Sequence, residues 1–144
     1  MDEWNILDIY FKNHKYPFTK HHLDSYRQFM KNYIPAIINS YNPIEMIKIN
    51  ETDDDESIRV KLYVGGKDTE KIYIDRPTIL DDNQNPILLT PQDARLRNLT
   101  YSTKIYADIV VEYYKNGEYF KTKTFEYTLL GSIPLMLHSE FCML

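Results

Sequence analysis

The stretch that decides the fold is residues 101–129, which read YSTKIYADIVVEYYKNGEYFKTKTFEYTL. Two long runs rich in β-branched and aromatic residues flank the dipeptide Asn116-Gly117. Asn-Gly is the preferred dipeptide of a two-residue hairpin turn. The stretch therefore predicts a β-hairpin with strands at 101–115 and 118–129.

A short helix is predicted just before this hairpin, at Thr90-Pro91-Gln92-Asp93. Threonine is a good N-cap, proline suits the first helical position, and an acidic residue is favourable near a helix N-terminus. We expect the helix to continue to about Asn98, with Ala94, Leu96 and Leu99 on its buried side.

Shorter strands are predicted on both sides of this central unit. Upstream, apolar residues alternate with polar ones in three groups, which are Ile44, Met46 and Ile49; Ile58, Val60, Leu62 and Val64; and Ile72 and Ile74. Gly65-Gly66 predicts a turn after the second group, and residues 81–86 are rich in turn-forming types. Downstream, residues 133–138 predict a last strand.

The first forty residues show helical periodicity instead. Residues 3–13 predict an amphipathic helix that ends at Tyr16-Pro17, and a second helix should begin after Thr19 as its N-cap. Pro35 should kink or restart that helix, because proline lacks the backbone donor. The fold class predicted is α+β: two N-terminal helices, then a mostly antiparallel sheet with a hairpin in the C-terminal half.

Composition is that of an ordinary globular domain. The chain has 144 residues, 43% of them hydrophobic, and a net charge of -4, so we expect one domain over 1–144. The acidic balance disfavours a free-standing, nonspecific nucleic-acid binder. A single cysteine, Cys142, excludes an internal disulfide and is typical of a reducing intracellular setting. The acidic start predicts no signal peptide, and no apolar run is long enough for a membrane span.

No residue pattern predicts a catalytic, cofactor or metal site in this chain. Adjacent His21 and His22 diverge by about 100° on a helix, and a structural zinc site needs four clustered Cys or His ligands. His138 and Cys142 fall in or after a β segment, where their spacing does not bring the side chains together. Residues 53–55 are an acidic triplet without the spacing of a calcium loop. The thirteen tyrosines lie mostly at core-compatible positions, so we expect packing rather than base stacking of Tyr26, Tyr33, Tyr63, Tyr73, Tyr106, Tyr113 and Tyr127.

A family resemblance adds what composition does not contain. Residues 91–102, PQDARLRNLTYS, resemble the signature of the protrusion domain in second-largest subunits of DNA-directed RNA polymerases, and residues 105–109, IYADI, resemble the strand that follows in that family. Residues 130–144, LGSIPLMLHSEFCML, resemble its Gly-x-Ile-Pro-x-Met segment and Ser-x-x-Cys extension. A weaker likeness covers Trp4, Phe11 and residues 23–29. The ending is like that of eukaryotic, archaeal and large-DNA-virus subunits. Isoleucine, asparagine, lysine and tyrosine, whose codons are AT-rich, are all frequent, and this AT-rich composition favours a giant virus as the source.

The resemblance implies a non-catalytic wall of the polymerase cleft that helps to position DNA and the RNA–DNA hybrid. Its implied partners are the largest subunit, the rest of the second-largest subunit and transcription initiation factors. Two-metal nucleotidyl transfer resides elsewhere in such enzymes, so Mg and Zn are expected outside this chain. The implied location is the nucleus or, for a virus, the host cytoplasm or the virion. The family commonly has basic residues on both sides of the conserved serine, where this chain has His138 and Glu140.

The residues we expect to contact nucleic acid or another subunit are Arg95, Arg97, Lys104, Lys121 and Lys123. The two arginines diverge on their helix, so they cannot grip one phosphate together. A structural role, in which they brace the helix against carboxylates or carbonyls, is favoured over nucleic-acid contact. The lysines, with Lys115, would form a diffuse positive stripe along the hairpin.

Two functions remain open at this stage. The first is a polymerase scaffold domain that is inactive alone, and the second is a stand-alone regulatory or nucleic-acid-binding module with the protrusion fold. A hydrolase using residues 53–55 or the His138 and Cys142 pair is disfavoured.

Overall fold

A computed structural model describes residues 2–49 and 57–144 of the chain. The helices are α1 (Glu3–Asn13), α2 (Lys20–Gln28), a π-helical turn (Phe29–Tyr33), α3 (Ile34–Tyr41) and α4 (Pro91–Leu96). The strands are β1 (Ile44–Ile49), β2 (Ser57–Val64), β3 (Ile72–Ile74), β4 (Thr78–Leu80), β5 (Pro86–Leu88), β6 (Ser102–Lys115) and β7 (Glu118–Pro134). The predicted α+β class, helices first and an antiparallel sheet after, is confirmed.

The helical region follows the prediction in outline and departs from it at two points. The α1 helix has the predicted bounds, and Pro35 is the second residue of α3. The helix continues from α2 through the π-helical turn into α3 with helical backbone angles at each junction, so it does not restart at Pro35. Thr19 precedes α2 as expected, but its side chain makes no capping hydrogen bond. The predicted N-cap position is therefore correct, but the hydrogen bond expected from the threonine side chain is absent.

The main sheet is organised around β6. Strand β7 pairs with one edge of β6, and β2 and β3 share the other edge end to end, with β1 outside β2; every pairing is antiparallel. Between β2 and β3 the chain turns at Gly65 and Gly66, whose N–H groups both donate to the carbonyl of Asp108 on β6. Their φ angles of 79° and 76° are left-handed, which explains the two glycines.

The hairpin forms at the predicted turn but its second strand is longer than predicted. Asn116 and Gly117 have φ of 50° and 83°, the pair of positive values that a type I′ turn needs. Strand β7 stays paired with β6 until Pro134, which lies opposite Ser102. The separate last strand predicted at 133–138 is therefore wrong, since register shifts let β7 pass its irregularities and remain in the sheet.

A second, two-stranded sheet was not predicted. Strands β4 and β5 pair across the turn at 81–86, where the Asp81 carboxylate accepts hydrogen bonds from the N–H groups of Asn83 and Asn85. The helix α4 ends at Leu96, before the expected Asn98, because Asn98 adopts a left-handed φ of 54°.

The buried core is a seam between the helices and the sheet. Met30 and Ile34 pack against Ile105 of β6, and partly buried side chains from α2, α3, β3, β7 and the C-terminal segment surround them. Several tyrosines expected in the core are instead exposed, namely Tyr33, Tyr73 and Tyr127. Apolar side chains away from this seam, such as Met46 and Phe125, are exposed.

Candidate functional site

The cap of α4 positions the two candidate arginines. Thr90 Oγ1 accepts a hydrogen bond from the N–H of Asp93 at 3.1 Å and donates to the Asp93 carboxylate at 2.6 Å. The predicted cap is therefore confirmed. Ala94 is buried as predicted. Leu96 and Leu99 are exposed instead, because a helix of six residues turns only one side toward the core.

Arg95 and Arg97 are both exposed side chains. Within residues 2–49 and 57–144, neither guanidinium makes a hydrogen bond or an ion pair. Among the described residues, therefore, no carboxylate or carbonyl braces the helix through these arginines, and their role stays a prediction. Arg95 borders a shallow apolar depression with Leu137.

The candidate lysines of the hairpin do not form one stripe. Lys104 pairs with Ser132 near the start of β6, while Lys121 pairs with Tyr113, nine positions further along the strand. Nine residues of strand span roughly 30 Å, and an odd spacing turns the side chains to opposite faces of the sheet. Lys121 and Lys123 share a face with each other but not with Lys104.

Lys121 and Lys123 lie over aromatic rings near the hairpin turn. The Lys121 ammonium lies 5.1 Å from the ring centre of Tyr113 and 5.6 Å from that of Phe120, and Lys123 lies 4.8 Å from that of Phe125. A small apolar cleft of about 370 Å³ is lined in part by Lys121. Cations interleaved with exposed rings can contact either the bases and phosphates of a nucleic acid or a partner protein.

The opposite face of the hairpin carries a buried carboxylate. The Glu112 side chain is only 7% exposed, forms an ion pair with Lys67, and accepts a hydrogen bond from the Tyr114 hydroxyl at 2.9 Å. The contact with Lys67 has the larger effect and the hydrogen bond from Tyr114 the next, and both lower the pKa of Glu112 below its ordinary value of 4.5. Glu112 is therefore charged and satisfied at neutral pH, and it holds the β2–β3 connection against β6.

A second buried carboxylate fixes the irregularity in β7. Asp108 accepts a hydrogen bond from the N–H of Tyr127 at 2.9 Å, and Tyr127 has a left-handed φ of 49°. The Tyr127 hydroxyl donates to the Asp75 carboxylate at 2.6 Å, and this hydrogen bond raises the pKa of Tyr127 to about 12. Its ring stacks on Tyr106 with centroids 4.3 Å apart. These groups all have structural partners, and they shape the hairpin rather than offer a reactive centre.

A large depression of the described surface lies at the other end of the molecule from the hairpin turn. We call it the corner cleft: it is bounded by the α1–α2 connection, α2 and residues 138–140, and its volume is about 660 Å³. Its charged lining residues are Lys15, Lys20, Asp24, Arg27, Lys31 and Glu140. The sequence predictions did not include it, because it depends on contact between segments more than 100 positions apart, such as Tyr16 with His138.

In the described part of the chain, the His, Cys, Asp and Glu side chains do not cluster into a metal site. Within residues 2–49 and 57–144, no three His, Cys, Asp or Glu side chains form a group that could hold a metal ion. The acidic triplet at 53–55 lies outside the described residues. His21 and His22 do not diverge as expected, since their rings lie 4.0 Å apart. His138 bonds Tyr16, whereas Cys142 accepts from the Tyr101 hydroxyl, so the two have separate partners.

Among the described residues there is no helix with the length and apolar character needed to cross a membrane.

Comparison with known proteins gives one consistent result. Residues 17–144 match the family described as RNA polymerase beta subunit. The chain is 33% identical over 139 residues to DNA-directed RNA polymerase subunit Rpo2N of Methanothermobacter thermautotrophicus, covering 96% of this chain and 23% of that protein. It is 29% identical over 153 residues to DNA-directed RNA polymerase II subunit 2 of Arabidopsis thaliana, covering 99% of this chain and 12% of that protein. The chain thus spans less than a quarter of the length of either relative.

Proposed function

Since the chain belongs to the RNA polymerase beta subunit family and corresponds to the N-terminal protrusion region of second-largest subunits, we propose that it is a non-catalytic part of a DNA-directed RNA polymerase. In this role residues 1–144 form one domain of the cleft wall and help to position DNA and the RNA–DNA hybrid. The observation that carries the proposal is the match over residues 17–144. Relatives that cover nearly the whole chain add support.

Positioning, rather than chemistry, is the role that the side chains favour. The cations at Arg95, Arg97 and Lys104 are exposed and make no ion pair with the described residues. Exposed cations of this kind bind phosphates through diffuse attraction and contribute register without reading sequence. Lys121 and Lys123 are better suited to contact with another subunit, because the surface around them is aromatic and apolar.

The proposed partners are the largest subunit, the remainder of the second-largest subunit and initiation factors. The Mg ions of nucleotidyl transfer and any structural Zn would be held by those other parts. The proposed location is inside the cell, in the nucleus or, if the AT-rich composition reflects a giant virus, in the host cytoplasm or the virion.

A binding and activity measurement on the purified chain tests this function. We expect weak binding of short DNA that decreases steeply with salt, because the contacts are electrostatic. We expect no nucleotide incorporation unless the partner subunits are present. Tight, salt-resistant, sequence-specific binding would instead favour a stand-alone regulatory module. A reading frame that continues into further polymerase segments would support the scaffold role, and an isolated gene beside an intact subunit would contradict it.

A further inference from the structure

The helix α1 buries none of its own side chains. All 11 of its residues are exposed. The large apolar ones among them are Trp4, Ile6, Leu7, Ile9, Tyr10 and Phe11, and Trp4 is 76% exposed. A helix this short is marginal in water on its own, because most helical stability in proteins comes from packing an apolar face. Among the described residues, therefore, α1 lacks the surface that would stabilise it.

Three of these side chains share one side of the helix. At about 100° per residue, Trp4, Leu7 and Phe11 lie within roughly 60° of one another. The ion pair between Lys12 and Asp8 borders this apolar side. Apolar anchors at positions i, i+3 and i+7 are those by which a helix inserts into a groove of a protein.

The connection that follows α1 holds one end of the helix against the domain. Phe18 contacts Phe11, with ring centroids 5.7 Å apart. The Tyr16 hydroxyl and His138 Nδ1 lie 3.0 Å apart, and their rings also pack together. These contacts leave Trp4, near the other end of the helix, exposed. An element held in this way loses less freedom on binding than a free segment would.

The charge of this segment argues against two classes of partner. Asp2, Glu3 and Asp8 are acidic, whereas Lys12 is the only basic residue from position 2 to position 13 and is paired with Asp8. A helix that binds a membrane surface carries Lys and Arg on its polar face, and one that binds nucleic acid must neutralise phosphates. An apolar helix with a net negative charge instead fits an apolar groove of a protein that has basic residues at its rim.

We propose that α1 docks, through Trp4, Leu7 and Phe11, in an apolar groove of the remainder of the second-largest subunit. Large apolar anchors are typical of permanent interfaces, whereas surfaces that exchange partners are more polar. One polymerase relative matches 99% of this chain, which covers only 12% of that relative, so a long polypeptide accompanies the counterpart of α1 there. The inference rests on the function proposed above and names the partner that covers α1.

Hydrogen exchange of the α1 amides tests the docking. In the purified chain, residues 3–13 should exchange almost as fast as an unfolded peptide, since an exposed short helix opens readily. In the assembled polymerase we expect exchange slower by about 100-fold or more, because a docked helix must detach before it opens. Equally fast exchange in an assembly that synthesises RNA would overturn the docking and leave the proposed function standing.

A matched pair of variants locates the contact on the helix. Leu7→Glu with Phe11→Glu places two charges on the apolar side, and Asn5→Glu with Asn13→Glu adds the same charge away from it. All four side chains are exposed, so neither variant should change the melting temperature of the purified chain. In the assembly the first variant should lose at least about tenfold of the exchange protection, the effect of losing interface anchors, and the second should keep it. Equal protection in both variants would refute the assignment of the anchors.

Photo-crosslinking identifies the groove. Benzoyl-phenylalanine replaces Leu7 in the assembled enzyme, and the same replacement of Asn5 is the control. We expect the cross-link from position 7 to join apolar residues of the remainder of the second-largest subunit, and the yield from position 5 to be lower. A cross-link to another subunit, an initiation factor, DNA or a second copy of this chain would overturn the assignment of the partner. A chain that enters no polymerase would refute the proposed function itself, and this inference with it.

Discussion

Met30 is the side chain whose truncation should most affect the joint between the helices and the sheet. It is 0% exposed and packs with Ile34 against Ile105, in the seam between the helices and the sheet. Truncating a buried methionine to alanine costs about 2–5 kcal/mol, from lost burial and from the cavity that remains. We expect about 3 kcal/mol for Met30→Ala, a substantial part of the roughly 5–15 kcal/mol that stabilises a typical domain. The melting temperature should fall by about 6–12 °C.

The measurement is urea unfolding followed by far-ultraviolet circular dichroism, with Met46→Ala as the matched control. Met46 is the same residue type on β1, but it is 56% exposed. Its truncation should change the free energy of unfolding by less than about 1 kcal/mol. If the two variants lose similar, small amounts of stability, the helices are not held by this seam, and the reasoning about the core is refuted.

Three further substitutions test local features. Thr90→Ala should cost about 1 kcal/mol of unfolding free energy by removing the α4 cap, and Thr90→Ser should restore most of it; equal losses in both would refute the cap. Gly117→Ala should cost about 1 kcal/mol in thermal unfolding, since a side chain meets nothing within 4 Å and only the φ of 83° resists it. Glu112→Gln should destabilise the chain at pH 7 but little at pH 3. The lowered pKa of Glu112 gives stability that is present above the unfolded value of 4.5 and is lost as pH falls through the folded value. Exposed Glu126→Gln serves as its control, and an equal pH profile for both would contradict the role of Lys67.

The elements that the sequence predicted well are those fixed by local chemistry. The Asn116-Gly117 turn and the Thr90 cap each depend on the conformational preference of one or two residues. Strands β4 and β5 were missed because neither alternates apolar and polar residues, and Pro86 argues against a strand. Leu96 was predicted to be buried but is exposed, because a helix of six residues turns only one side, that of Ala94, toward the core.

The candidate site was predicted less well, since it depends on contacts between distant segments. Composition could identify Lys104 and Lys121 as cations but not their opposite faces, which follow from the register of β6 and β7. Lys15 and Lys20 belong to an ordinary basic stretch until residues 138–140 fold against them.

Templated RNA synthesis by an assembled polymerase tests the central claim most directly. The measurement compares incorporation of labelled nucleotides on a DNA template by the assembled enzyme, by the same assembly without residues 1–144, and by the purified chain alone. The account predicts incorporation only by the assembly that contains the chain, and none by the chain alone. Full activity of the assembly without these residues would contradict a role in the polymerase, and activity of the isolated chain would contradict its non-catalytic assignment.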